Sequence, residues 1–375
     1  MTKRIAVNAL SINPQPSGGK TYLLNLLEEL PDVAGDEYQF YLLCSKQNAS
    51  IFSDRIKARS VHPIVFPSIA ANSLVRIALE QFIMPVWLWR NDVDLLFATR
   101  NVMPLLTNCH TVIGVLSMHL NYEQKDLPWW RRLYGLSVLR LSAKRADAYL
   151  SISAYAGHTF IEKYNLPQER LFIAPLGFRH EMVISGDSDT NLVDTEYLLF
   201  VSTLFPHKNV PFLLKAFARV ARACPSTDLV IVGRDVNGSL RILEKLAQEL
   251  SISDRVHFLG AVTDDQLMQL YAHARVFVFP SLVEGFGLPV LEAMAHSVPV
   301  VVSDCTSIPE IVGDGGVVLS PDDENAWAEA IVQILENEHR HGELSLRASN
   351  QAKTFTWRRT AEIALDCFNT ILGAS

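Results

Sequence analysis

The run Val283-Glu-Gly-Phe-Gly-Leu-Pro-Val-Leu-Glu-Ala-Met-Ala295 places two carboxylates, Glu284 and Glu292, eight residues apart around a Gly-x-Gly bend. Ahead of it, Ala274-Arg-Val-Phe-Val-Phe-Pro280 reads as a buried parallel strand. Behind it, Leu288 to Ala295 reads as a helix, with Pro289 near the first turn where a missing amide proton costs little. A glycine loop between the carboxyl end of a strand and the start of a helix aims backbone amides and the helix dipole at one point. That geometry binds an anion. One carboxylate is then expected beside the anion's substituent, and the other, in the helix, within reach of a ribose hydroxyl.

Working outward, strand-like runs alternate with helical ones in both halves of the chain. Ile5–Ala9, Phe40–Cys44, Leu95–Ala98, Thr111–Leu116 and Ala148–Ile152 come first; Tyr197–Ser202, Asp228–Val232, Val256–Leu259, Val276–Phe279 and Pro299–Ser303 follow. Repeated alternation of this kind means parallel sheets covered by helices, here twice over. The chain has 375 residues, and single cores stop growing at roughly 250 to 300 residues. The expectation is therefore α/β: two Rossmann-like domains whose strand ends face a shared cleft. The first spans residues 1–178, the second 196–356. The stretch 179–195, which is Ser- and Asp-bearing and aperiodic, serves as linker, and a helix over 357–375 packs back on the first domain.

Apolar residues make up 49% and charged residues 19%, enough to fill large cores and too apolar for disorder. Net charge is −7. Residues 1–180 hold 19 Lys plus Arg against 14 Asp plus Glu, a balance of +5, so the remainder carries −12. The first half is expected to face something anionic, such as a lipid surface or a phosphorylated acceptor. No nucleic-acid motif appears, so nucleic acid is not an expected partner. Cys44, Cys109, Cys224, Cys305 and Cys367 are scattered, odd in number and without a Cys-x-x-Cys pair, as expected of reduced core residues. Met1-Thr-Lys-Arg-Ile-Ala-Val reads as a strand at once, so no signal peptide is expected. No apolar run reaches the roughly 18 to 20 residues that span a bilayer. A cytoplasmic protein is expected, with a peripheral position on the inner face of the membrane.

The segment Val283 to Ala295 resembles the E-x7-E signature of retaining glycosyltransferases of the GT-B fold, the large family 4 (glycosyl transferases group 1), whose members move a sugar from a nucleoside diphosphate. The resemblance implies that Glu284 binds hydroxyls of the donor sugar and Glu292 the nucleotide ribose. The amides of Gly285, Phe286, Gly287 and Leu288 would face the diphosphate. In Phe200-Val-Ser-Thr-Leu-Phe-Pro-His-Lys-Asn209, Lys208 matches the family lysine that stabilises the leaving diphosphate. Many relatives carry an arginine where this chain has Ser202 or His207, so His207 is the expected partial substitute. In Val112-Ile-Gly-Val-Leu-Ser-Met-His-Leu120, His119 corresponds to the histidine that contacts the donor sugar, while Leu120 replaces the usual aspartate. Pro16-Ser-Gly-Gly-Lys-Thr-Tyr22 is no ATP-binding P-loop, because that signature needs glycine at position 14 and Pro14 stands there. It resembles the family's Gly-Gly turn, with Gly18 and Gly19 approaching the donor phosphates. Phe258-Leu-Gly-Ala-Val262 is expected to line the base pocket.

The implied function is metal-independent hexosyl transfer to a hydroxyl of a glycan, glycolipid or lipid-linked acceptor, giving an α-linkage without any cofactor beyond the nucleotide-sugar donor. GDP-mannose is favoured as donor, with UDP-glucose or UDP-N-acetylglucosamine next. No metal site is expected. The alternatives are a non-catalytic nucleotide-sugar-binding relative and a nucleotide-sugar epimerase. Residues 125–145 carry six basic residues and one acid beside Trp129, Trp130, Leu133, Leu136 and Leu139, the composition of a helix on an anionic membrane. The apolar run Leu74 to Trp89, interrupted by Pro85, is expected to be a core helix.

Overall fold

The structure, a computed structural model, describes residues 2–12, 15, 17–66, 73–116, 129–179 and 193–373. Contacts divide the chain into two compact units, Met1–Gly177 with Thr356–Ser375, and Phe178–Phe355.

The first unit is built on a parallel seven-stranded sheet. Its strands are β1 (Lys3–Asn8), β2 (Tyr38–Ser45), β3 (Val61–Phe66), β4 (Leu95–Ala98), β5 (His110–Val115), β6 (Ala148–Ser151) and β7 (Leu171–Ile173), in the order β3-β2-β1-β4-β5-β6-β7. The second unit is built on a parallel six-stranded sheet of β8 (Glu196–Val201), β9 (Thr227–Val232), β10 (Val256–Gly260), β11 (Val276–Phe279), β12 (Val300–Ser303) and β13 (Val317–Leu319). Its order is β10-β9-β8-β11-β12-β13. Both orders reverse beside the first strand of the unit, between β1 and β4 and between β8 and β11. Open α/β sheets bind ligands at the carboxyl ends of strands flanking such a reversal.

The central strands are continuous apolar runs because helices cover both their faces. Val-Phe-Val-Phe of β11 and Val-Val-Val of β12 are wholly buried. The helix Trp357–Leu372 packs against the helix Gly18–Ala34 of the first unit, where Tyr22 and Trp357 meet with ring centroids 6.5 Å apart. Phe368 sits on Phe97 of β4, and Thr360 donates to the Pro175 carbonyl at 2.5 Å.

Some expectations change. The run Leu74 to Trp89 is not all core: a helical segment Ser73–Ala78 passes through a π turn, Leu79–Ile83, into the helix Met84–Arg90. Pro85 falls near the start of that last segment, and the wider turn ahead of it accommodates the ring and the missing amide proton. Leu79, Met84 and Leu88 face the sheet, but Phe82, Ile83, Val86 and Trp89 are exposed. In the helix Trp129–Arg145, Leu139 is buried under the sheet rather than turned outward. All five cysteines are free thiols, but Cys109 and Cys305 are only half-buried. Most of the linker segment lies outside the described residues.

Candidate functional site

At the reversal of the second sheet, β8 and β11 end side by side. Beyond β8 the chain makes a 3-10 turn, Pro206–Lys208, and Asn209 takes a left-handed φ of 57° to start the helix Val210–Ala223. This turn carries Lys208 inward. Its Nζ lies 5.7 Å from the centre of the Phe279 ring, the last residue of β11, within the range where a cation feels the ring's negative face. The same ammonium forms an ion pair with Glu284, both side chains being only 11% exposed. A group with that little water around it depends on its counter-charge. The structure therefore joins Lys208 and Glu284, two residues that the sequence presents 76 positions apart.

The loop that presents Glu284 is fixed by short polar side chains. The Glu284 amide donates to Thr306 Oγ1 at 3.0 Å, and Ser307 Oγ donates to the carbonyls of Glu284 and Phe286 at 3.2 and 2.8 Å. Ser303 donates to the Ser281 carbonyl at 2.5 Å, and the Leu282 amide donates to the His207 carbonyl at 2.8 Å. Phe286 is buried and packs edge-on against Phe355. Gly287 follows with φ of +121°, and a Cβ there would come 3.2 Å from Ile311, so glycine is required. The amides of Phe286, Gly287 and Leu288 donate to no acceptor among the described residues. They stand at the positive end of the eight-residue helix Leu288–Ala295.

On that helix, Glu292 Oε2 accepts the Tyr271 hydroxyl at 2.8 Å. Burial holds the Glu292 carboxyl above its ordinary value, and the Tyr271 hydrogen bond and nearby Asp264 act against each other. One turn on, His296 Nδ1 donates to the Glu292 carbonyl at 2.9 Å, and its ring stacks on Tyr271. The carbonyl fixes the tautomer, leaving Nε2 as a bare lone pair, buried and without a hydrogen-bond partner among the described residues. Burial accordingly pushes the His296 pKa down.

A cavity of about 420 Å³ opens next to the Lys208 turn. Leu204, Ile231, Gly233, Phe258, Gly260 and Ala261 are among its lining residues, so three of the five residues of the stretch 258–262 line it. Gly233 closes its floor: φ is +146° and a Cβ would lie 1.7 Å from the Ser202 carbonyl oxygen.

His207 stacks on Phe205 with centroids 5.6 Å apart and supplies its carbonyl to Leu282. Gly18 and Gly19 lie in the first unit, at the start of the helix Gly18–Ala34 behind the Ser17 cap. His119 and Leu120 are outside the described residues. The residues that sequence reasoning left unassigned are Thr306, Ser307 and Tyr271. The Ser-Asp-Cys-Thr-Ser run at 303–307, small hydroxyls directly after a strand, is the available signal for the first two.

The sequence profile of the family described as Glycosyl transferases group 1 matches residues 187–355, which include Lys208, Glu284 and Glu292. The O-antigen chain mannosyltransferase B of Escherichia coli is 30% identical over 257 residues, 67% of this chain and 66% of the relative. The O-antigen chain mannosyltransferase RfbU of Salmonella typhimurium is 27% identical over 334 residues, 88% of this chain and 90% of the relative. The chain spans only about a third of another relative, the serotype-specific mannosyltransferase WbdA of Escherichia coli, at 32% identity over 71% of this chain. Among solved structures, Anabaena HepE in complex with UDP and glucose aligns over 98% of this chain and 100% of its own, with a TM-score of 0.77 at 19% identity. At that identity the likeness speaks for the fold. Profile, relatives and fold agree, and the chain belongs to the glycosyl transferases group 1 family, with the GT-B fold.

Proposed function

We propose that the protein is a retaining hexosyltransferase of family 4 that moves mannose from GDP-mannose to a hydroxyl of a growing glycan or a lipid-linked acceptor, with UDP-glucose and UDP-N-acetylglucosamine as the next candidate donors. Two relatives named as O-antigen mannosyltransferases support the choice of sugar and acceptor class. The observation that carries the reading is the ion pair of Lys208 and Glu284 at the reversal of the second sheet, beside three undonated amides at a helix start. An arriving diphosphate offers Lys208 a second anion. The ammonium then shifts toward the leaving charge, and the freed Glu284 carboxylate accepts from hydroxyls of the sugar. Amides of residues 285–288 take the remaining phosphate oxygens, Glu292 the ribose, and the cavity beside Leu204 the base.

In this reading the cation that bears the leaving charge is a lysine in the second unit, so transfer is metal-independent. No side chain here is placed as a covalent nucleophile, and retention follows from attack on the face that the phosphate leaves. His119, Gly18 and Gly19 of the first unit are assigned to donor contact and the rest of that unit to the acceptor. An acceptor held in a bilayer would bring the protein to the inner face of the cytoplasmic membrane.

The test is thermal unfolding with GDP, UDP, ADP and CDP in EDTA, followed by slow hydrolysis of the matching nucleotide sugar. A bound nucleotide at 100 times its dissociation constant adds about 2.7 kcal/mol. A shift with GDP and release of mannose from GDP-mannose support the reading. A shift without any release identifies a binder, and no shift with any nucleotide refutes the site.

A further inference from the structure

We propose that Glu80 is the residue of the first unit that binds the acceptor, taking hydrogen bonds from hydroxyls of a terminal sugar where the strand order of that unit's sheet reverses. The reversal lies between β1 and β4, and ligands of such sheets bind at the carboxyl ends of the flanking strands. Asn8, the last residue of β1, is buried there. Its Oδ1 accepts the Leu10 amide at 3.1 Å, and its carbonyl accepts the hydroxyl of Thr99, directly after β4, at 2.6 Å. With that oxygen engaged, the Asn8 side chain turns its NH2 to the Glu80 carboxylate and donates to it. The π turn Leu79–Ile83 sets Glu80 in this place. Its closing bond runs from the Met84 amide to the Leu79 carbonyl, one residue wider than an α turn, so Leu79 and Met84 both face the core. Gln81 clamps the turn to the chain beyond β4, donating to the Met103 carbonyl at 3.2 Å and accepting from the Leu105 amide at 3.0 Å. π turns inside helices recur at functional sites.

The carboxylate has fewer partners than its burial calls for. An ionised carboxylate offers about four lone-pair sites, and buried ones are normally paired. Glu80 is largely buried, accepts from one neutral amide and forms no ion pair among the described residues; Arg76 and Arg100 act on it only through space. Burial accordingly holds its carboxyl above the ordinary value, and Arg76, Asn8 and Arg100 offset that only in part. The fold thus carries a charge that its packing does not need, since an uncharged side chain of the same shape would be less costly to bury. A perturbed carboxylate of this kind, set at the strand ends, marks a site. The missing partners are donors. A sugar hydroxyl both donates and accepts, which suits a carboxylate with an amide beside it and guanidinium groups further out. A phosphate only accepts, and Glu80 repels it, so the structure favours a neutral sugar here. That this sugar is the acceptor rests on the transferase reading above; that a sugar binds does not.

Saturation-transfer NMR with the methyl α-glycosides of mannose, glucose, galactose and N-acetylglucosamine tests the site without any donor. The parent should bind at least one of them, and Glu80→Gln should weaken that binding by about tenfold to a hundredfold, the loss expected for hydrogen bonds to a charged group. Glu80→Gln should also melt no lower than the parent, because it removes a buried charge that nothing pairs; a glutamate that held the fold together would behave in the opposite way. With donor present, its KM for the same glycoside should rise by that factor while kcat changes little. Binding of no glycoside, equal binding by parent and variant, displacement of the glycoside by equimolar inorganic phosphate, or a lower melting temperature for Glu80→Gln each overturns the proposal. Glycoside binding that Glu80→Gln abolishes, in a protein that no nucleotide stabilises, would instead refute the donor reading and leave the sugar site standing.

Discussion

Replacing Glu284 by alanine strands the Lys208 ammonium inside the second unit without a counter-charge. An exposed ion pair would lose about 0–1 kcal/mol, but with each side chain only 11% exposed this pair belongs with buried ones. Breaking such a pair from one side costs about 3–5 kcal/mol. The remaining exposure favours the lower figure, about 3 kcal/mol. For a unit of this size each kcal/mol moves the unfolding midpoint by roughly 2–4 °C, so calorimetry of Glu284→Ala should show a fall of about 6–12 °C in the transition of the second unit. Lys208→Ala should fall comparably. The double variant Lys208→Met with Glu284→Leu should be no worse than either single, because no buried charge is left unpaired. Nucleotide diphosphate sharpens the contrast: it should stabilise Glu284→Ala more than the parent, since it supplies the missing anion, and should fail to stabilise Lys208→Ala. Single losses under about 1 kcal/mol that simply add in the double variant would refute the argument, for they would mean that water screens the pair.

Two other substitutions probe the site's supports. Gly233→Ala would place a methyl 1.7 Å from the Ser202 carbonyl at a φ of +146°; β8 and β9 must part, and the variant should lose more than about 4 kcal/mol, read as lost soluble protein or a collapsed melting transition. His296 has a folded pKa below its ordinary value, so its neutral form contributes stability that is present above the unfolded pKa and lost as pH falls through the folded one. Protonation would put a donor on buried Nε2 with no acceptor, a penalty of about 1–3 kcal/mol. The parent should therefore lose melting temperature on acidification below the ordinary histidine range, and His296→Phe should flatten that part of the profile; an unchanged slope would discount His296.

The strands that could be read directly are the central ones. β4 and β11 stand at the expected residues, Leu95–Ala98 and Val276–Phe279, because a strand covered on both faces is an unbroken apolar run. The strands not anticipated are edges: β3, Val-His-Pro-Ile-Val-Phe with Pro63 inside it, and the three-residue β7 and β13. An edge strand needs neither length nor a continuous apolar run, and it tolerates proline, so it leaves a faint pattern. The helix Leu288–Ala295 stands at its expected bounds, since glycine before it and proline in its first turn are local instructions.

Local sequence determined where the chain turns, which runs are buried on both sides, and that a glycine loop with a following helix presents two glutamates. Tertiary structure alone decided the rest. The run Leu74 to Trp89 has the same apolar composition whether it faces a sheet or water, and only its packing on β1, β2 and β4 turned Leu79, Met84 and Leu88 inward and left Phe82 and Trp89 outside. Lys208 and Glu284 lie on different strand ends, 76 residues apart. Nothing in the neighbourhood of either residue encodes the other. Their meeting follows from β8 and β11 being adjacent at the point where the strand order reverses, a long-range pairing set by the packing of the whole sheet.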